Sequence, residues 1–236
     1  MSSGSPIHLR PTAPLAERVL LPGDPGRALA LAQSLLHKPR MFNHHRGLWG
    51  YTGTAADGDP LTIQSTGIGG PSASIVLSEL IALGARRGIR VGTCGALAPG
   101  LALGELIVAR ESICADGTSR ALGTGERIAA DRSLTETLIR SAPSAYAGTV
   151  ISVDLFYDTE ITARWHAHQA LAVEMEAAAL FAVGSGAGVP VACVLTVSDT
   201  FEESGARRRI EDHPLLAAAE TMGTAAVAAL TSERSA

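Results

Sequence analysis

Four segments of this sequence set small polar residues where an apolar run stops. VLLPGDPGR places Gly23, Asp24 and Arg27 after one run, and IQSTGIGGPS places several glycines and Ser72 after another. IRVGTCG carries Arg90 inside an apolar stretch with Gly92, Thr93 and Gly95 behind it, and CVLTVSD ends in Ser198 and Asp199. Glycines let a backbone approach a ligand closely. Arginine's planar fork suits bidentate recognition of an oxyanion. Arg90 is the most telling of these residues, because a charge within the apolar GIRVG costs free energy unless it is paired. A buried arginine asks for an anion.

Strand-like and helix-like runs alternate around these residues. Strands are expected at Arg18–Leu21, Leu61–Ser65, Ile89–Gly92, Glu105–Ala109, Val150–Ser152 and Val191–Val197. Helices are expected at Arg27–Leu36, Pro71–Leu83, Leu134–Arg140, Met175–Val183 and Leu215–Leu230. In the second of these, Pro71 is preset for a first turn and Gly84 supplies a left-handed stop. Ile75, Val76, Leu80 and Leu83 form its apolar stripe. Such alternation implies an α/β fold, a mixed or parallel sheet covered by helices on both faces. The carboxyl ends of strands in such a sheet share one edge, where ligands bind. The four polar strand exits therefore predict one composite site.

Composition narrows the function. The chain has 236 residues, 46% of them hydrophobic, which fits a single domain with a large core and excludes a disordered protein. No repeat or linker divides it, so residues 8–232 are expected to form one domain, with residues 1–7 a flexible terminus. A net charge of −4 gives no electrostatic reason to expect nucleic acid or an anionic membrane as partner. Cys94, Cys114 and Cys193 are far apart with no CxxC pair, which argues against a disulfide framework or zinc and suits a cytoplasmic protein. The first residues lack the apolar core of a signal peptide. The longest uncharged run, 177–198, is broken by Gly184, Gly186, Gly188 and Pro190 and so is not a membrane span. Neither a dinucleotide fingerprint nor a metal-ligand cluster appears: Gly92-Thr93-Cys94-Gly95 is not GxGxxG, and His44 and His45 are adjacent. No cofactor or metal is expected.

The sequence resembles the nucleoside phosphorylase type I family, and within it the bacterial purine nucleoside phosphorylases of the hexameric, high-molecular-mass type. The segments that carry the resemblance are VLLPGDPGRA at 19–28, HHRGLWGYTG at 44–53, TGIGGPSASI at 66–75, IRVGTCGAL at 89–97, SVDLFYD at 152–158, VEMEAAALF at 173–181 and LTVSD at 195–199. They are collinear and span roughly residues 8 to 230. The resemblance implies a partly barrel-like central sheet and a reaction in which inorganic phosphate, a co-substrate, cleaves a purine (deoxy)ribonucleoside to the base and (deoxy)ribose 1-phosphate. The transition state resembles an oxocarbenium ion, so positive charge on the sugar and negative charge on the departing base must both be met.

Roles follow from the same resemblance. Gly23, Arg27, Arg90 and Thr93 would hold phosphate, joined by Arg46 from a neighbouring subunit. Glu176 would accept from the ribose 2′- and 3′-hydroxyls, Met175 would lie on the sugar's apolar face, and His8 of a neighbouring subunit would meet the 5′-hydroxyl. Phe156, Glu174, Ser198 and Asp199 would surround the base. Asp199 would be the catalytic acid that gives N7 a proton, a role that needs desolvation or nearby negative charge. In the family a downstream arginine assists this aspartate; Arg207, Arg208 and Arg209 are the candidates here, and EESGARRRIEDHP departs from the family's usual spacing, which leaves the choice among them open. A site shared between subunits makes a dimer the minimal unit, and relatives assemble as hexamers, trimers of dimers.

Three alternatives remain. Uridine phosphorylases share the phosphate and ribose apparatus but carry a Gln and an Arg after the aromatic of 152–158 and lack the Ser–Asp pair; DLFYDTE has neither, and Ser198–Asp199 is present. A nucleosidase of the same fold would have no use for a cage of arginines. A non-catalytic nucleoside-binding protein would not need the acid. The chain departs from the purine enzymes in having Thr93 where serine is commoner and fewer residues between Asp158 and Ala172.

Overall fold

A computed structural model describes residues 6–158, 160–165, 168–202 and 206–232. In chain order the strands are β1 (Arg18–Leu21), β2 (His37–Asn43), β3 (Gly50–Thr54), β4 (Pro60–Gln64), β5 (Arg87–Ala96), β6 (Leu106–Cys114), β7 (Arg127–Ala129), β8 (Tyr146–Ser152), β9 (Ala172–Glu174), β10 (Val191–Phe201) and β11 (Arg207–Arg209). The helices are α1 (Pro25–Leu35), α2 (Gly70–Leu83), α3 (Gly117–Ala121), α4 (Arg132–Ser141), α5 (Ile161–Trp165), α6 (Ala177–Ala187) and α7 (Asp212–Ser232). All the expected elements are present. Those the sequence did not announce are short or polar: β2, β7, β9, β11, α3 and α5, together with β3.

The strands form one mixed sheet that closes partly on itself. Strand β5 pairs in parallel with β10; β10 pairs antiparallel with β6; β6 and β8 are parallel, as are β8 and β9; and β9 returns antiparallel to β5. This ring is the barrel-like part. From the first half of β5 the sheet runs outward through β1 and β4 to β3 and β2.

Alternation along the strands divides the core into two apolar layers. Val19, Leu21, Cys94 and Cys193 face α2 and α6, packing with Val76, Leu77, Leu80, Leu180 and Phe181. Leu20, Ile89, Val91, Ala192 and Val194 face the other way, against Leu31 of α1, Leu134 and Leu138 of α4, and Met222, Ala226 and Leu230 of α7. Helix α7 is long and apolar enough to cross a membrane by length and composition. Here Ala219, Met222, Ala226, Ala229 and Leu230 are buried against α1, α4 and the sheet.

The same topology opens the site. On one edge, β5 pairs with β1 only through Arg90 and with β9 only from Gly95. Between those partners residues 91–94 have no strand alongside on that edge, and Gly92, Thr93 and Cys94 line a cavity instead. A strand that changes partners part-way leaves a gap, and the gap is the pocket.

Of the terminus expected to be flexible, residues 1–5 lie outside the described residues. Beyond them the chain is held. Glu79 of α2 accepts from the N–H groups of Ile7 (3.0 Å), His8 (3.0 Å) and Leu9 (2.7 Å) and bonds His8 Nδ1 at 2.7 Å. Burial acts to raise the Glu79 carboxyl, but the His8 side chain and the three N–H groups outweigh it and hold it below its ordinary 4.5. A carboxyl lowered in the folded state contributes stability that is complete above its unfolded value and lost as pH falls through its folded one. The segment 7–9 is therefore expected to stay docked above pH 4.5 and to loosen below it. Amide exchange at Leu9, followed from pH 6 to 3 with the intrinsic rate divided out, should lose protection over that interval; a pH-independent protection factor would exclude Glu79 as the clamp.

Candidate active site

A cavity of about 680 Å³ lies where the carboxyl ends of β5, β9 and β10 meet the loops after β1 and β4. Its lining includes Gly23, Arg27, Arg46, Arg90, Thr93, Phe156, Glu174, Met175, Glu176, Ser198 and Asp199. These are all but one of the residues to which the family resemblance gives a binding or catalytic role. His8 is the exception: it is not in the lining of its own chain's cavity, and its Nδ1 bonds Glu79 at 2.7 Å. Arg46, expected to enter from a neighbour, lines the cavity of its own chain. It sits in the turn His45–Gly47 with a left-handed backbone (φ 59°), unusual for a residue with a Cβ.

Arg90 organises the floor. Even-numbered residues of β5 face α6, so Arg90 points at the start of that helix, where two glutamates wait. Its Nε lies 3.0 Å from Glu174 and its Nη2 lies 2.5 Å from Glu176, with all three side chains buried. Gly92 is two residues on and on the same face. A Cβ there would come within 2.7 Å of Arg90 Cζ, so the guanidinium needs a glycine at this position. The two carboxylates raise Arg90 above its ordinary value despite complete burial. Its Nη1 is buried with no hydrogen-bond partner among the described residues. Such a donor is rare in native interiors and marks a place for a ligand acceptor.

The glutamates have different duties. Glu174 caps α6, accepting from the N–H groups of Glu176 (2.8 Å) and Ala177 (2.9 Å), and it also takes the Ser152 hydroxyl. Ser152 in turn accepts from Ala178 N–H at 2.9 Å and bonds Ser112 at 2.9 Å. Burial raises the Glu174 carboxyl, against the pull of Arg90. Both Glu174 oxygens are thus occupied by the protein. The side chain of Glu174, expected near the base, caps the helix and anchors Arg90, and the residue lines the cavity. Glu176 has one oxygen on Arg90 and the other on Gly69 N–H at 2.5 Å. Gly69 reaches it with φ 87°, a conformation that favours glycine.

Arg27 lies in the first turn of α1, whose cap is Asp24: the Asp24 carboxylate accepts from Arg27 N–H at 2.6 Å. Burial lowers the Arg27 guanidinium, and the cations Arg90 and Arg209 push the same way, against Asp24 and Glu176. Cations gathered where each weakens the other make a site that an anion relieves.

Strand β10 brings Asp199 to the cavity. The sequence places Ser198 and Asp199 after a strand; β10 in fact continues to Phe201, and they lie within it. The register against β5 shifts between Val197 and Asp199, a bulge centred on Ser198. Bulges re-aim side chains, and this one lets two successive residues line the same cavity. Asp199 is buried; it accepts from Ser198 Oγ at 2.7 Å and pairs with Arg209 Nη1 at 3.2 Å. Of the three candidate arginines, Arg209 is the one paired with Asp199. In β11 Arg207 and Arg209 share one face and line the cavity, and Arg208 between them does not. Arg207 lies over the Phe156 ring at 4.2 Å and donates to Phe156 O at 3.0 Å. Phe201, also in the lining, had no place in the sequence reading, which considered Arg207 only as a possible partner of Asp199.

The phosphorylase superfamily model matches residues 17–232. The chain is 38% identical over 209 residues to a DeoD-type purine nucleoside phosphorylase of Geobacillus kaustophilus, covering 84% of this chain and 88% of the relative. It is 37% identical over 209 residues to the DeoD-type enzyme of Clostridium novyi, covering 83% and 88%. It is also 40% identical over 197 residues to a uridine phosphorylase of Treponema pallidum, covering 76% of each chain. A family match over most of its length, joined to such relatives, makes this chain a member of the phosphorylase superfamily.

Proposed function

We propose that the protein is a purine nucleoside phosphorylase. Phosphate oxygen bonds to C1′ as the C1′–N9 bond breaks, and the base leaves with a proton taken up at N7. The observation that carries this reading is one cavity lined by Arg27, by Arg90 with its open Nη1, by Glu176 and by Asp199. Gly23, Arg27, Arg90, Thr93 and Arg46 hold phosphate. Glu176 and Met175 hold ribose, and Glu176 puts negative charge beside the developing cation. Phe156, Ser198 and Asp199 meet the base. When Asp199 gives its proton to N7 a carboxylate forms, and Arg209 at 3.2 Å is placed to neutralise it. No cofactor enters this scheme. A cytoplasmic setting suits three buried thiols outside any disulfide.

Association of chains is part of the proposal. His8 serves the ribose of a second subunit, and exposed Ile7 (71%), Ile68 (81%) and Tyr157 (93%) supply apolar surface to cover. The assembly is a hexamer built from dimers.

The test is base release from inosine, adenosine and uridine, each with and without phosphate. Release of purine only when phosphate is present, with a pentose 1-phosphate as co-product, is the expected result. Equal release in its absence would make the protein a nucleosidase, and faster release from uridine would make it a pyrimidine enzyme.

A further inference from the structure

We infer that Asn43 and Gln64 are positioning residues for Arg46: together they pin the turn that carries its guanidinium to the cavity. This rests on the phosphorylase reading above, in which Arg46 holds phosphate. Arg46 needs an anchor. Its backbone is left-handed (φ 59°), a conformation that persists in a residue with a Cβ only where the surroundings enforce it. Its side chain is exposed, so the grip has to act on the backbone of the turn.

One rung of the sheet supplies that grip. Asn43 ends β2, Gly50 begins β3 and Gln64 ends β4; the registers pair Asn43 with Gly50 and Gly50 with Gln64. Residues paired across strands share a face, so two amides flank a residue that has no side chain. Both converge on one acceptor: Leu48 O takes Asn43 Nδ2 at 2.5 Å and Gln64 Nε2 at 3.0 Å. The Leu48 N–H donates to His45 O at 3.2 Å and closes the turn around Arg46. One residue thus shuts the turn with its N–H and ties it to the sheet with its carbonyl. Gly50 makes room for this, since a Cβ there would stand 2.0 Å from Gln64 Oε1.

Asn43 and Gln64 are both fully buried. Gln64 Nε2 also meets Ser65 O at 2.8 Å, and two carbonyls fix the nitrogen at that end of the amide. Its Oε1 is left buried with no hydrogen-bond partner among the described residues. An unmatched buried acceptor costs free energy that an apolar side chain of the same shape avoids. Holding Leu48 O requires the amide; filling the space does not. The anchor lies within one chain, so it serves the same end whether Arg46 meets the phosphate of its own cavity or of a neighbour's.

The experiment measures kcat and the KM for phosphate at saturating inosine in the unaltered chain, Gln64→Met, Asn43→Leu and Arg46→Ala, and in each anchor variant combined with Arg46→Ala. Each anchor variant should raise the phosphate KM about tenfold with kcat held within about threefold, since a small misplacement of a binding group can cost up to about 10²-fold. Without the Arg46 side chain the same substitutions should add less than about twofold, because residues that act through one group are not additive. KM is read on folded molecules, so partial unfolding does not imitate the result, and either anchor variant decides if the other does not fold. A phosphate KM unchanged by the anchor substitutions, or an increment that persists in full in the Arg46→Ala background, overturns the inference while leaving phosphorolysis intact. An Arg46→Ala protein with the parent's phosphate KM, or base release that needs no phosphate, overturns the underlying reading instead.

Discussion

Asp199→Asn is expected to lower kcat/KM for inosine by about 10²–10⁴, the usual worth of a general acid, with little change in the KM for phosphate. Asparagine keeps the shape of the residue and an acceptor for Ser198 but has no proton to give. The effect should be confined to chemistry at the base, because the phosphate end of the cavity is built from other strands: Arg27 follows β1 and Arg90 lies in β5. Steady-state kinetics in both substrates check this, with a thermal melt to confirm folding. A loss of threefold or less would remove Asp199 from the role of acid. A rise in the phosphate KM equal to the fall in kcat/KM would move it to the other end of the site.

Arg90→Met carries the largest expected cost in stability. The substitution leaves Glu174 and Glu176 buried without their shared cation, and breaking a buried ion pair from one side costs about 3–5 kcal/mol. In a domain of this size that lowers the melting midpoint by roughly 6–20 °C. Differential scanning calorimetry reads it directly. Adding Glu174→Gln should recover part of the loss, since the amide can still accept at the start of α6 without a buried charge. A midpoint within about 2 °C of the parent protein would mean that the arginine is not what holds the two glutamates. Phosphorolysis should also fall, because the unpartnered Nη1 disappears with the residue.

The two variants separate the tasks of the cavity. One removes a proton from an intact pocket, and the other removes the cation that both shapes the pocket and awaits an anion there. Arg90 shows why such a site is built on a strand: flanked by β1 and β10 and locked by two carboxylates, its guanidinium is oriented before any ligand arrives, and preorganised charge costs no reorganisation during reaction.

Local chemistry made much of this protein legible before any fold was known. A charge inside GIRVG, glycines after apolar runs and a Ser–Asp pair behind another run are properties of a few neighbouring residues, and they pointed to Gly23, Arg27, Arg90, Thr93, Ser198 and Asp199, all of which line the cavity; Arg46, Phe156, Glu174, Met175 and Glu176 came from the family resemblance. The long helices and buried strands were equally readable, because burial imprints its period on the sequence. What joins distant segments was not. Strands β9 and β11 are three residues each, too short to show a period, yet β9 closes the barrel and β11 decides that Arg209, not Arg207 or Arg208, faces Asp199. The bulge at Ser198 depends on registry with β5, and the capture of Glu174 by α6 and Arg90 depends on where a helix begins relative to a strand some 80 residues earlier. Residue types state which groups can react or pair; only the packed chain fixes which partner each one meets, because pairing is settled by geometry between segments that carry no information about one another locally.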